Sequence, residues 1–384
     1  MTMKTLSDLE TPALLLDLAK VDRNIERMRS GLSALGVQLR PHLKTAKSID
    51  VARRLLDSDD APCAVSTLKE AEQFAAAGLR DILYAVGLAP NKFDHVHTLR
   101  ARGVGLSVVV DNEASASLLA AHARACGDRL PVLIEIDCDG HRCGAKPASD
   151  ELLRIADALV ADVDLRGVLT HAGASYACFD EASKVAMAEQ ERAAAVASAQ
   201  ALRAAGYAAP VVSVGSTPTA SFAQDLSGVT EVRAGVFVFS DLVMAGIGVG
   251  SVDDIALSVL ASVIGHQRDK GWIVVDAGWM AMSRDRGTAR HPVDQGYGLV
   301  CDLDGAPLAD LIMVEANQEH GILALRPGSS APPPELLELL EMPIGTLLRI
   351  LPNHACATAA QHDRYQVVEG DRTVVAQWPR FSGW

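Results

Sequence analysis

Between about residue 36 and about residue 240 the chain repeats one pattern: a short β-rich apolar run, polar or glycine punctuation, then an amphipathic stretch rich in Ala, Leu, Glu and Arg. Eight runs carry the strand signal: Val37 to His42, Cys63 to Thr67, Ile82 to Val86, Leu106 to Asp111, Val132 to Asp137, Gly167 to His171, Val211 to Gly215 and Glu231 to Gly235. Between them, Ile49 to Leu56, Glu70 to Ala77, Glu113 to Cys126, Glu151 to Val160 and Lys184 to Ala205 combine helical spacing with good helix formers. Strands alternating with helices bury both faces of a parallel sheet. Eight such units in roughly 200 residues predict an α/β chain built on a (β/α)8 barrel, with an open doubly wound sheet as the alternative.

The pattern changes near residue 250. Val259 to His266, Trp272 to Asp276, Leu311 to Val314, Thr346 to Leu351 and Tyr365 to Val368 are β-like runs joined by turns. Glu335 to Leu340 is the main helical patch there, and Pro332 to Pro334 reads as a surface loop. The expected organisation is a barrel over residues 14–250 and a mostly β domain over 251–384. Residues 1–18, with the apolar run Ala13 to Leu18, are a candidate extra strand of the second domain.

Charge narrows the function classes. The 384 residues carry 35 Lys and Arg against 48 Asp and Glu, a net charge of −13, with no basic stripe for a phosphate backbone, so nucleic acid is not an expected partner. The segment Met1 to Thr11 lacks the apolar core of a signal peptide and no run reaches membrane-spanning length, so a cytoplasmic protein is expected, with no membrane partner. Seven scattered cysteines in a long chain read as reduced thiols, at least one of them a candidate metal ligand.

Barrel active sites lie at the carboxyl ends of the strands. There the first strand runs into Arg40-Pro41-His42-Leu43-Lys44-Thr45, the fifth ends in Glu135-Ile136-Asp137 before His141-Arg142, and the sixth ends at His171 with Tyr176 close behind. The seventh leads into Gly215-Ser216-Thr217-Pro218-Thr219, and the eighth carries Arg233 and Gly235. Small and hydroxyl residues in the last two loops suit a phosphate, whereas a tight turn that caps the next helix is the other reading of the same residues. Lys44 is expected in apolar surroundings beside the cations His42 and Lys47, which would lower its pKa and make it a Schiff-base amine. A lysine and a phosphate cup on one rim point to pyridoxal phosphate.

In the β domain, Pro352-Asn353-His354-Ala355-Cys356 places an imidazole and a thiol two residues apart, expected on an extended strand with both side chains on one side. Together they supply half of a tetrahedral zinc site, leaving positions for water and substrate, although a packed histidine beside a buried cysteine is the other reading. The thiolate favours zinc over manganese. The charged segment Ser283-Arg284-Asp285-Arg286-Gly287 is either a surface turn or part of the site, with Arg284 or Arg286 as a cation for a second substrate carboxylate.

These segments, with Glu231-Val232-Arg233-Ala234-Gly235, together resemble the metal-activated D-serine dehydratase and D-threonine aldolase family, fold type III pyridoxal-phosphate enzymes with an alanine-racemase-like barrel. The resemblance covers nearly the whole chain. It implies that Lys44 carries pyridoxal 5'-phosphate, that Gly215, Ser216, Thr217 and Gly235 hold the phosphate, and that Arg142 lies against the pyridine ring. It also implies that His354 and Cys356 bind zinc beside the substrate, and it suggests a homodimer.

The expected activity is elimination of the β-hydroxyl of a D-3-hydroxy amino acid (D-threo-3-hydroxyaspartate, D-serine or D-threonine) to give a 2-oxo acid and ammonia. Lys44 is expected as the base, with His171 and Tyr176 as further catalytic candidates and Tyr176 and Arg233 lining the cofactor. Aldolases of this resemblance tend to have aspartate where this chain has Cys356, which tips the choice toward dehydration over aldol cleavage. A racemase or a non-catalytic pyridoxal-phosphate carrier fits the residues less well.

Overall fold

The computed structural model describes residues 4–329, 341–370 and 372–384, so the expected helical patch Glu335 to Leu340 and the proline segment lie outside the described residues. The chain divides into two compact units, Met1–Ile25 with Val236–Phe381, and Glu26–Gly235 with Ser382–Trp384. Residues 14–25 and 236–250, grouped with the barrel from sequence, fall in the first of these.

Strand β1 (Ala13–Asp17) belongs to the first unit; the second holds β2 (Gln38–Pro41), β3 (Cys63–Val65), β4 (Asp81–Gly87), β5 (Gly105–Val110), β6 (Pro131–Ile136), β7 (Asp164–Thr170), β8 (Val211–Val214) and β9 (Glu231–Ala234). They form one parallel sheet in the order β2-β9-β8-β7-β6-β5-β4-β3. A parallel bridge from His42 to Ala64 brings the ends together, so the eight strands make a (β/α)8 barrel.

The connecting helices start where side chains satisfy their orphan N–H groups. Thr67 accepts from Glu70 N, Asn112 from Ser115 N, Ser149 from Leu152 N and Asp180 from Ser183 N. Each such cap contributes about 1 kcal/mol.

Inside the barrel, β3 to β7 contribute the apolar layer Ala64, Leu83, Val109, Leu133 and Leu169. The side formed by β2, β8 and β9 is ionic instead. Arg40 pairs with Asp81 and Glu231, Ser213 donates to Glu231 at 2.6 Å, and Arg233 donates to Ser213 Oγ and to the Thr170 carbonyl, each at 2.6 Å. Buried charges survive only when paired in this way.

The other unit is a nine-stranded sheet of β1 with β10 (Leu257–Gln267), β11 (Trp272–Val275), β12 (Gly298–Cys301), β13 (Pro307–Ala316), β14 (Gly321–Leu325), β15 (Leu347–Pro352), β16 (Arg364–Val368) and β17 (Val374–Pro379). Its order is β11-β14-β13-β12-β15-β10-β1-β16-β17 with a further β10–β11 pairing, so β10 to β15 close on themselves. The run at Ala13 is a strand between β10, antiparallel, and β16, parallel. Three strands escaped the sequence reading: β12 and β14, which open on glycine and so read as turns, and β17, which alternates half-buried with exposed positions. Among the described residues no helix is long and apolar enough to cross a membrane.

Candidate active site

The barrel rim gathers most of the residues singled out from sequence. After β2 the chain buries Leu43, Thr45 and Ala46 and turns Lys44 outward, so the lysine is exposed rather than enclosed in apolar surroundings as expected. His42 is no neighbouring cation either: burial, then the charges of Lys44 and Arg233, hold its pKa well below the ordinary value and leave it neutral. Lys47 bonds Glu70 at 3.2 Å and takes a left-handed φ of 46°.

His171 follows β7. Its Nδ1 lies 2.9 Å from the Gly215 carbonyl, which can only accept, so Nδ1 carries the proton and Nε2 presents a lone pair. Burial, reinforced by Arg142, pushes its pKa down to about 3, against the pull of that hydrogen bond. Tyr176, on the short turn Gly173–Ala177, sets its ring 6.2 Å from the imidazole. Arg142 is exposed, and its charge acts on both His171 and the half-buried Glu135.

The loops after β8 and β9 are held close by glycine. Gly215 has φ +134°, and a Cβ there would stand 2.2 Å from the Arg233 carbonyl oxygen; at Gly235 it would stand 2.8 Å from the His42 carbonyl. Ser216 caps Thr217–Phe222, with its hydroxyl accepting from Thr219 N and meeting Ser175 Oγ at 2.9 Å, while Ser216 N donates to Thr219 Oγ1. Ser216, Thr217 and Thr219 are buried. Arg233 is buried too and commits its terminal nitrogens to Ser213 and Thr170, so it offers charge more than free donors. A primary amine, clustered hydroxyls, guanidinium groups and a glycine cradle that side chains would fill form a donor set that fits pyridoxal phosphate.

Sequence reasoning missed Glu191, a buried carboxylate beneath this loop that accepts the Ala172 N–H at 2.8 Å. Burial raises its pKa, while hydrogen bonds from Thr219, Ala172 and Gly215 oppose the rise. The signal was a charged residue in the inward stripe of a long helix.

In the β-rich unit, His354 and Cys356 come together by a different geometry from the one expected. Strand β15 stops at Pro352, His354 is the N-cap residue of the helix Ala355–Ala359, and Cys356 sits in that first turn rather than on an extended strand. The buried Asp241 carboxylate forces the turn by accepting Ala355 N at 3.0 Å and Met244 N at 2.9 Å. His354 Nδ1 donates to Asp285 Oδ2 at 2.9 Å, which leaves Nε2 for the Cys356 side. Burial disfavours the imidazolium, but the hydrogen bonds to Asp285 and Cys356 outweigh it and raise the His354 pKa to about 11.

A carboxylate–imidazole pair with a thiol alongside is a donor set for a thiophilic divalent metal, the carboxylate fixing the tautomer and the orientation of the ligand. Among the described residues no group of three or more His, Cys, Asp or Glu side chains that could hold a metal ion occurs; a site built on this pair would leave positions open for water and substrate. Arg286 pairs with Asp294 at 2.8 Å, and Arg284 is exposed over the Trp279 ring.

This fold and these two donor sets define an alanine-racemase-type barrel enzyme with an appended β domain. Residues 16–242 match the alanine racemase N-terminal domain and residues 256–368 the "Putative serine dehydratase domain". The chain is 53% identical to the D-threo-3-hydroxyaspartate dehydratase of Delftia sp. (strain HT23), over 99% of both chains. It is 28% identical to the D-serine dehydratase of Dictyostelium discoideum, over 99% of this chain and 98% of that one. A solved structure of a D-threo-3-hydroxyaspartate dehydratase, a cysteine-to-alanine variant in the metal-free form, superposes with a TM-score of 0.94 at 54% identity, covering 99% of this chain and all of that one. The chain belongs to this dehydratase family, and as a member it is a pyridoxal-phosphate-dependent lyase.

Proposed function

We propose that the protein removes the β-hydroxyl and the amine of D-3-hydroxy amino acids, with D-threo-3-hydroxyaspartate as the first substrate to test, releasing a 2-oxo acid and ammonia. The observation that carries this reading is the presence, in one chain, of an exposed lysine amine on a barrel rim and an imidazole–thiol pair oriented by a carboxylate. The 53% identity over nearly the full length supports the substrate class.

Lys44 would hold the cofactor through its aldehyde, and its amine is the group placed to take the substrate's α-proton. Ser216, Thr217, Gly215 and Gly235 would hold its phosphate, and Arg142 would be the cation for its ring. Pyridoxal phosphate, when bound, supplies the electron sink for charge developing at Cα. His171, neutral with Nε2 unprotonated, and Tyr176 line the same rim and are placed to hold or pass a proton. His354 and Cys356 would hold zinc, which would supply Lewis-acid chemistry for a departing hydroxyl. Asp285 fixes the His354 tautomer for that task. Water lost in the elimination is regained when the enamine hydrolyses, so the net change is substrate to 2-oxo acid and ammonia.

We further read the protein as a cytoplasmic homodimer. All seven cysteines are free thiols, in keeping with a reducing compartment.

The test is release of ammonia and 2-oxo acid from D-threo-3-hydroxyaspartate, D-serine and D-threonine, with and without chelator. Activity lost on chelation and restored by zinc supports the reading. Glycine plus an aldehyde without ammonia would replace it with aldol cleavage, and unchanged activity in chelator would remove the metal from it.

A further inference from the structure

Asn353 stands between β15 and His354 at 2% exposure, and its carboxamide is engaged at both ends. Nδ2 donates to the Asp285 carbonyl at 3.1 Å and to the Gly296 carbonyl at 2.7 Å, and Oδ1 accepts from Thr288 Oγ1 at 2.8 Å. The buried Thr288 hydroxyl accepts from Gln295 N at 3.0 Å, which leaves its hydrogen for Oδ1. Carbonyls only accept, so the amide has one orientation here; reversed, it would set oxygen against two carbonyl oxygens.

Residues 285–296 make an excursion between the short helix Trp279–Met282 and β12, and Asn353 grips both ends of it. At the first end the Asp285 backbone is held on two sides, its N–H by Ser283 Oγ at 3.2 Å and its carbonyl by Asn353. The Asp285 carboxylate then divides its work. Oδ1 accepts Gly287 N at 2.7 Å, and Oδ2 accepts His354 Nδ1 at 2.9 Å. The circuit closes on itself: Asn353 fixes the backbone of Asp285, and Asp285 fixes the imidazole of the residue that follows Asn353 in the chain. A carboxylate orients a ligand only as well as its own backbone is held.

We propose that Asn353 is a positioning residue for the metal-binding pair: its carboxamide clamps the Asp285 backbone so that the carboxylate meets His354 Nδ1 and leaves Nε2 for a metal. This inference rests on the reading that His354 and Cys356 hold zinc.

The test uses the full chain, stripped of metal and titrated with zinc against a chromophoric chelator. Asn353→Ala and Asn353→Asp are expected to raise the zinc dissociation constant about 10-fold, the aspartate because it keeps the shape but turns acceptors toward two carbonyls. In the Asp285→Ala background no carboxylate is left to aim, so adding Asn353→Ala is expected to cost less than about twofold. Thr288→Val, which removes the donor to Oδ1 without altering Asn353, is expected to weaken zinc about threefold, and Thr288→Ser to restore the parent value. The visible spectrum of the cobalt-loaded protein, which reports ligand geometry, is expected to change in Asn353→Ala and to match the parent in Thr288→Ser.

An unchanged zinc affinity in Asn353→Ala, or an equal loss with and without the Asp285 carboxylate, would make Asn353 merely structural and overturn the proposal. His354→Ala and Cys356→Ala separate the two levels. If they too leave zinc affinity unchanged, the metal assignment fails and takes the proposal with it; if they abolish it while Asn353→Ala and Thr288→Val do not weaken it, only the role of Asn353 fails. Should the Asn353 variants not fold, Thr288→Val measured with and without Asp285→Ala gives the same decision.

Discussion

The two units treat a half-buried imidazole in opposite ways. On the barrel rim, His42 and His171 are surrounded by Lys44, Arg142 and Arg233, and burial together with those charges keeps both rings neutral. In the β-rich unit, His354 is half-buried, yet hydrogen bonds to Asp285 and Cys356 hold its pKa up at about 11. Burial alone penalises imidazolium; one carboxylate at 2.9 Å reverses the outcome. The consequence is chemical. A neutral ring among cations is suited to an anionic cofactor and to proton transfer, whereas a ring anchored by a carboxylate beside a thiol is suited to a divalent metal that takes the proton's place.

The contrast is broken most severely at Lys44. Lys44→Ala is expected to lower 2-oxo acid release by about 10⁴-fold and abolish the cofactor's covalent absorbance band, while metal content measured by plasma emission stays unchanged. Retention of both activity and the band would refute the lysine assignment. Cys356→Ala should act on the other unit alone, cutting turnover by about 100-fold or more and emptying the metal, with the absorbance band intact.

Asp285→Asn sharpens the comparison because it keeps an acceptor for His354 Nδ1 but removes the charge. Metal affinity, read by competition with a chromophoric chelator, is expected to fall about 10- to 100-fold, and an unchanged affinity would show that the carboxylate does not orient the ligand. The smallest effect is on pH dependence. With a folded pKa of about 3 against 6.5 when unfolded, His171 contributes stability that is present above pH 6.5 and is lost as pH falls from 6.5 toward 3. Urea unfolding of the metal-free, cofactor-free protein at pH 7 and pH 4.5 should therefore show a smaller drop for His171→Gln than for the parent. Equal drops would mean the ring is not held neutral.

Much of the barrel was legible before any coordinates. All eight strands lie where apolar β-rich runs alternate with helical ones, because parallel strands buried on both faces leave a strong local signal. The β-rich unit was less so: β12 and β14 are short runs that open on glycine, and β17 alternates half-buried with exposed positions. At the candidate sites, the residues singled out by type and spacing, Lys44, His171, Gly215 to Thr217, His354 and Cys356 among them, were visible in the sequence. Their supports were not. Asp285 stands 69 residues from His354, and Glu191 lies 19 residues from Ala172. The expected burial of Lys44 failed because alternation around a turn, not the hydropathy of its neighbours, decides which side chain faces out.

By itself the sequence determined the barrel, an appended β domain and the residue types for a cofactor and a metal, since these follow from periodicity and from functional groups fixed along the chain. Tertiary structure alone decided which groups hold protons: that His171 is neutral, that His354 is not, that His354 and Cys356 meet through a capped helical turn, and that Glu191 accepts the Ala172 N–H. Protonation and orientation depend on burial and on partners many residues away, and neither is encoded at the residue that titrates.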